Sequence, residues 1–334
     1  MTQDKSEESG PSTPKPSYTR AKQVRPLYEA GDGDTVADLY SYVAEDGRTY
    51  QGYMPGEYML PNDSAEQERL DFSHAIYRLL LDNKLAAAPL RSPENVLDIG
   101  TGTGLWALEF AEENPTAEVI GTDLSMIQPL PWTPNCQFIL ENSETDDWLF
   151  PHRFDYVHLR AVLSCFSDVR TVIRRAYDHL EAGGWIEFQD GVFELVGHTD
   201  GSLEGTALQR WNALLRKGAL ARGRDFAKAR RYKQHLLDAG FVDVEERTIL
   251  VPGGPWHEDD QKMKLIGVYT ANVMITGIIE TFKPFLASAG LSQAEIETLS
   301  AEVRREVMDH SIRWSIPFYI VYGRKPYSGE SEAD

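Results

Sequence analysis

Asp98, Gly100, Gly102 and Gly104 stand at alternate positions after the apolar run Val96-Leu97 and before a helix-like pattern that begins at Leu105. Glycines so spaced let the backbone turn sharply and approach a bound molecule without Cβ clashes. The branched run Asn95–Ile99 has the length of a buried parallel strand. Strand, glycine loop and helix together make a nucleotide-type cofactor site, with Thr101 inside the loop.

Spacing separates the kinds of nucleotide such a loop can take. Phosphate transfer would need Gly-Lys-Ser/Thr, and no lysine follows Gly104. A dinucleotide loop, G-x-G-x-x-G, would set its third glycine at Leu105 and leave Asp98 without a task. An acid just upstream of the first glycine suits a cofactor with a positive amino group, because a carboxylate repels phosphate at close range. S-adenosylmethionine meets that requirement. Downstream, Glu118–Thr122 reads as the next parallel strand, and Asp123 at its end stands about 20 residues past the loop, placed to accept two ribose hydroxyls.

Methyl transfer from a sulfonium is an in-line displacement, so alignment and exclusion of water are the main demands. A phenol, acid or alcohol acceptor would add the need for a base. His158, Glu187 and Asp190 are the candidates, each at the carboxyl end of an expected strand, where ligands of open α/β sheets bind. Arg69 shares a helix face with Glu66, which permits an ion pair, or it can reach the cofactor carboxylate. Tyr58 either lines the methionine end of the cofactor or staples the helix entry. His74 is read as part of the packing or surface of that helix. Trp211, Trp256, Phe282 and Trp314 can stack on a planar metabolite or pack, and packing is expected for at least two of them.

These residues need a scaffold, and the pattern supplies alternating strands and helices, as in a parallel sheet covered on both faces. Seven strands are expected, near Asn95–Ile99, Glu118–Thr122, Gln137–Leu140, Phe154–His158, Trp185–Gln189, Phe241–Leu250 and Pro317–Tyr322, the last two as an antiparallel edge hairpin. Helices are expected at Leu105–Glu113, Val169–Leu180 and Ala229–Ala239, with Gly183-Gly184 and Gly240 as helix ends. Asp63 or Ser64 can cap an earlier helix that packs over the cleft.

The resulting plan is a disordered tail over 1–25, N-terminal cap helices over 26–90, and a Rossmann-like cofactor-binding core over 91–251 with a helical insertion at about 190–228. A helical lid over 252–315, a final strand over 316–326 and a flexible terminus over 327–334 follow. Connections as long as the two insertions carry their own structure or function, here an acceptor pocket.

Composition narrows the partners. With 52 acidic against 33 basic residues the formal charge is −19, which repels phosphate backbones and argues against direct nucleic-acid binding. The basic stretch Arg216–Lys233 reads as a solvated helix face. The longest near-apolar run, Leu265–Ile279, is too short to span a bilayer and reads as a buried helix. Two cysteines, Cys136 and Cys165, fit a reducing compartment and lack zinc spacing, so no metal site is expected. The expected compartment is the cytoplasm, or the nucleus for a regulatory role.

From about Tyr40 to Pro326 the chain resembles the class I S-adenosylmethionine-dependent methyltransferases, and more narrowly the fungal LaeA-like methyltransferases of secondary metabolism. The strings that carry this are YMLPNDSAEQERLD, VLDIGTGTGLWALEF, GTDLSMIQP, FDYVHLR, LEAGGWIEFQD, GPW before His257 and VYGRKP. The resemblance implies a seven-stranded Rossmann-like sheet with helical lid insertions. It also implies S-adenosylmethionine held by the loop Asp98 to Gly104 and by Asp123-Leu124. ENSE, Glu141–Glu144, departs from a more acidic family pattern and leaves Glu141 and Asn142 both able to meet the adenine amine. The function expected is methylation of a small molecule at O, N or C in fungal secondary metabolite biosynthesis. The alternatives are a LaeA-like nuclear regulator acting through a protein partner, and a methyltransferase fold that guides a non-methylating reaction such as a cyclisation.

Overall fold

The computed structural model describes residues 42–45, 47–56, 58–129 and 133–330. The expected tail at 1–25, the segment 26–41 and residues 331–334 lie outside the described residues. Among the described residues the first elements are the antiparallel pair β1 (Tyr42–Glu45) and β2 (Arg48–Gln51), then α1 (Ser64–Leu80). Among the described residues, the region expected to hold cap helices thus contains two strands besides one long helix. Asp63 caps α1 by accepting from the Glu66 N–H at 3.1 Å, and Arg48 of β2 pairs with the same carboxylate, fastening hairpin to helix.

The core follows as β3 (Asn95–Ile99), α2 (Leu105–Glu113), β4 (Glu118–Asp123), β5 (Cys136–Leu140), β6 (Phe154–Arg160), α3 (Val169–His179) and β7 (Leu180–Gly191). Next come the short β8 (Val196–Gly197), α4 (Ala207–Ala221), a 3₁₀ turn at Lys228–Arg231, α5 (Tyr232–Asp238) and β9 (Val242–Pro252). The lid is α6 (Gln261–Val273), running through a π-turn at Met274–Ile278 into α7 (Ile279–Thr281), then α8 (Lys283–Ser288) and α9 (Gln293–Met308). The chain returns as β10 (Trp314–Arg324).

The seven expected strands are β3 to β7, β9 and β10, in the order β5-β4-β3-β6-β7-β10-β9. The sheet has eight strands, because Val196-Gly197 adds a two-residue strand beside Trp314-Ser315. Parallel pairing runs from β5 to β7, and β10 is antiparallel to both β7 and β9. Thus β10 lies between its neighbours and β9 forms the edge. Gly183-Gly184 does not end a helix: α3 stops at His179, and both glycines lie inside β7 at an irregular step of its pairing with β6. The terminus is fixed further than expected, since Arg324 grips Glu330 with two bonds of 2.9 and 3.0 Å.

Burial explains the lid. One apolar core joins α1 to the lid helices and to Phe318 and Ile320 of β10, so the insertions pack against the sheet as part of the fold. In α6, Ile266, Gly267, Thr270 and Val273 are buried while Leu265 and Val268 face outward, so the expected buried helix is amphipathic. A second core fills the face carrying α3 and α5, and a third packs α2 on β3 to β5. Among the described residues no helix is long and apolar enough to cross a membrane.

Candidate active site

The loop after β3 is tied to the end of β4. The N–H groups of Gly100 and Thr101 both donate to the Thr122 carbonyl at 2.9 Å, and the Gly102 N–H donates to Asp123 Oδ2 at 2.9 Å. The loop glycines have φ of 69°, 59° and 80°, in the left-handed region. At Gly104 close approach adds to conformation, because a Cβ there would lie 2.6 Å from Phe138 Cζ. Asp123 also accepts from the Ser125 N–H at 3.0 Å. Burial pushes the Asp123 carboxyl up to about 6, opposed by those N–H donors and reinforced by the nearby Asp98.

Below the loop, Asp98 is held from both sides. Thr101 Oγ1 donates to Oδ2 at 2.7 Å and His158 Nδ1 lies 2.7 Å from Oδ1. A carboxylate only accepts, so Nδ1 carries the proton. The imidazole is fully buried and stacks on Trp106 at 3.8 Å between ring centres. His158 is therefore a support for Asp98, with no face toward a substrate, and the expectation of a base there is corrected. Glu187 is corrected likewise. It too is fully buried, and its carboxylate accepts the N–H groups of Ala87 and Ala88, the Tyr156 hydroxyl and the Gln189 amide at 2.8 to 3.0 Å. That anion clamps the segment before β3 onto the sheet.

A cavity opens over the loop. Gly100, Gly102, Asp123, Leu124, Glu141 and Asn142 all border it, and so does Tyr58. Burial raises Glu141 to about 7, with Ser143 donating to it at 3.0 Å. The Asn142 side chain is engaged with Met54 Sδ and with the Glu144 N–H, leaving Glu141 the freer of the two. A smaller recess continues past Asp98 and Thr101 to two guanidinium groups, Arg69 and Arg160.

Arg69 is largely committed. Its Nε and Nη2 bind Glu66 at 3.0 and 2.6 Å, and Glu66, 2 % exposed, also accepts from Thr281 of α7. The ion pair expected between Glu66 and Arg69 is thus a buried tie between α1 and the lid. Arg160, which sequence reasoning overlooked, ends β6 beside the recess. Its Nη2 lies 2.8 Å from His74 Nδ1, its guanidinium covers the Tyr77 ring at 4.9 Å, and His74 Nε2 lies 2.9 Å from Glu109. Burial lowers His74, so a neutral ring donates to Glu109 and accepts from Arg160. The available signal was the last residue of FDYVHLR, a cation at a strand's carboxyl end.

A second cavity lies between α1, the end of β7, β10 and the lid. Phe193, Val273, Met274, Ile278, Phe282 and Phe318 make most of its wall apolar. It shares Tyr58, Leu70 and Ala161 with the cavity over the loop, so the two meet there. Ala161 has φ 56°, an uncommon left-handed backbone for a residue with a Cβ. Asp190 borders the chamber beside Gly191. Of the four aromatic candidates, Trp211 and Trp314 are pure core, Phe282 lines the chamber, and Trp256 stacks on His257. In the basic stretch, Arg216 and Arg230 pair with Glu194, Arg231 pairs with Asp225, and Lys228 is buried. It is not a free cationic face.

Comparison with known proteins agrees with this architecture. A family model described as a methyltransferase domain matches residues 72–246. The methyltransferase pytC of Aspergillus terreus is 34% identical over 304 residues, covering 87% of this chain and 90% of the relative. The secondary metabolism regulator laeA of Aspergillus fumigatus is 34% identical over 294 residues, covering 86% and 78%. A solved structure assigned to a methyltransferase of antibiotic biosynthesis in Anabaena variabilis superposes with TM-score 0.50 at 14% identity, covering 74% of this chain and 96% of that one, a likeness of fold. With a matching domain over more than half its length and relatives a third identical along most of it, the chain belongs to the class I methyltransferase family, in the group that includes pytC and LaeA.

Proposed function

We propose that this protein is an S-adenosylmethionine-dependent methyltransferase that modifies a small molecule of fungal secondary metabolism. The observation that carries this is the junction at Tyr58, Leu70 and Ala161, where an apolar chamber meets the cavity over the glycine loop. A protein that only bound the cofactor would not need a second, lid-covered chamber at that point. The name of the methyltransferase pytC, 34% identical over most of both chains, supports the reading.

The residues present fit the cofactor. Asp123, ionised above about 6, offers acceptors to a ribose diol. Asp98 offers a carboxylate to an ammonium, Arg160 a cation to a carboxylate, and Glu141 a partner to the adenine amine. When bound, the cofactor supplies an electrophilic methyl group on a sulfonium. The chain's own part is to fix the acceptor's approach, with Ala161 small enough to leave the junction open, and to keep water out through the lid tied to α1 by Glu66, Arg69 and Thr281.

The test is incubation of the purified protein with isotopically labelled methyl donor and metabolite extracts. A labelled small molecule whose formation stops in Asp123→Ala supports the reading. Label on protein alone, or none with intact cofactor binding, favours a regulator, as the likeness to the secondary metabolism regulator laeA suggests, and such a regulator would act through a protein partner in the cytoplasm or nucleus. A new product without consumption of the methyl donor favours a non-methylating reaction.

A further inference from the structure

We infer that Asp190 receives the acceptor, and that the acceptor is a mostly apolar molecule presenting a single ionisable hydroxyl, phenol or enol. The inference deepens the methyl-transfer reading and rests on it. Asp190 stands at the carboxyl end of β7, is fully buried, and borders the chamber next to its junction with the cavity over the glycine loop. Its two oxygens differ. Oδ2 accepts from the Tyr232 hydroxyl at 2.9 Å, while no donor is well aligned on Oδ1, the Gly191 and Val162 amides lying near the carboxyl without reaching ordinary hydrogen-bond geometry there. A buried acceptor without a well-aligned donor is uncommon, and a ligand hydroxyl would supply one. The other walls are mainly hydrocarbon, with Arg69, Ser73, Tyr77, Ser164 and Thr270 as further polar neighbours, which favours an acceptor with few polar groups.

The charges around Asp190 select the kind of polar group. Facing it are Tyr232 from α5, Lys228 from the 3₁₀ turn, Tyr77 from α1 and Cys165 from the segment after β6. Lys228 is buried, with its ammonium 3.3 Å from the Phe166 carbonyl. A carboxylate acceptor would be repelled by Asp190. An ammonium would be opposed by Lys228 and, once paired with Asp190, would be held in its non-nucleophilic form. A neutral hydroxyl meets neither obstacle. Burial raises the Asp190 carboxyl to about 7, with Lys228, Tyr232 and the Gly191 and Val162 amides opposing. At neutral pH it therefore exists both as a base and as an acid.

The step balances. The hydroxyl oxygen forms a bond to the methyl carbon, the carbon–sulfur bond breaks with its electron pair going to sulfur, and the hydroxyl proton passes to Asp190 Oδ1. That proton leaves to solvent when the methyl ether departs.

The probes are naphthol and naphthyl methyl ether, matched in shape but not in donor, titrated by fluorescence against the whole chain with S-adenosylhomocysteine present. The wild type is expected to bind naphthol at least about tenfold more tightly than the ether. Asp190→Ala should erase that preference and keep ether binding. Asp190→Asn, which keeps the shape, should remove the pH dependence of naphthol binding near neutrality. Equal affinity for the two probes in the wild type, binding of neither, or a preference that survives Asp190→Ala overturns the inference. S-adenosylhomocysteine binding, measured in the same samples, keeps the two readings apart. Its failure with the naphthol preference intact counts against methyl transfer alone, and its success without the preference counts against Asp190 alone.

Discussion

Gly277 lies directly against the stem of Arg69: a Cβ on Gly277 would come within 2.3 Å of Arg69 Cδ and 2.6 Å of Cγ. The contact joins the π-turn of the lid to the helix over the cofactor cleft. π-turns inside α-helices occur often at functional sites, and this one supplies Met274 and Ile278 to the chamber wall.

Gly277→Ala should therefore destabilise the fold by about 1 to 3 kcal/mol through overpacking. Urea unfolding would show a lower midpoint with an unchanged slope, whereas an unchanged midpoint would mean that Arg69 swings aside freely.

Ala161 gives a paired prediction. Its left-handed backbone suits glycine, so Ala161→Gly should keep stability within about 1 kcal/mol and leave the junction open. Ala161→Val places a branched side chain in a conformation it strongly disfavours and should cost about 2 kcal/mol or more. Thermal unfolding checks both, and wild-type stability in the valine variant would contradict the geometry.

Glu187→Gln replaces a carboxylate that accepts from two backbone amides, a tyrosine and a glutamine. Loss of these charge-assisted bonds should cost about 2 kcal/mol or more, while affinity for S-adenosylhomocysteine per folded molecule stays unchanged. A selective loss of turnover with stability intact would restore Glu187 as a base.

Asp190 carries a pH signature. In the unfolded chain it titrates at the usual carboxyl value of 3.8, and in the fold at about 7. Between those values the folded state holds the extra proton. The contribution to stability is thus complete below the unfolded value and is lost as pH rises through about 7. Glu141 at about 7 and Asp123 at about 6 act in the same direction. Asp190→Asn should raise stability at pH ~8 by on the order of 1 to 3 kcal/mol and by little at pH ~4. Equal gains at both pH values would contradict the shift.

Much of this was legible in the sequence because it is local. The Asp-x-Gly-x-Gly-x-Gly spacing and Asp123 lie at fixed offsets along a strand, a turn and a helix, and the alternation of elements brings them together. The roles of His158 and Glu187 were not legible. Both stand at strand ends, as a base would, but their partners come from segments distant in sequence: the sheet register sets Asp98 beside His158, and the loop before β3 lays Ala87-Ala88 on Glu187. Arg160 was missed for the complementary reason. A strand-end arginine acquires meaning from His74 and Tyr77, which α1 delivers from across the cleft.

The most direct test of methyl transfer is calorimetric titration of the purified protein with S-adenosylhomocysteine, with Asp123→Ala as control. Binding in the micromolar range, about −8 kcal/mol, should occur in the wild type, weaken as pH falls below about 6 where Asp123 takes up a proton, and fail in the variant. Absence of binding by the wild type, or equal affinity in Asp123→Ala, would contradict the cofactor site and with it the proposed chemistry.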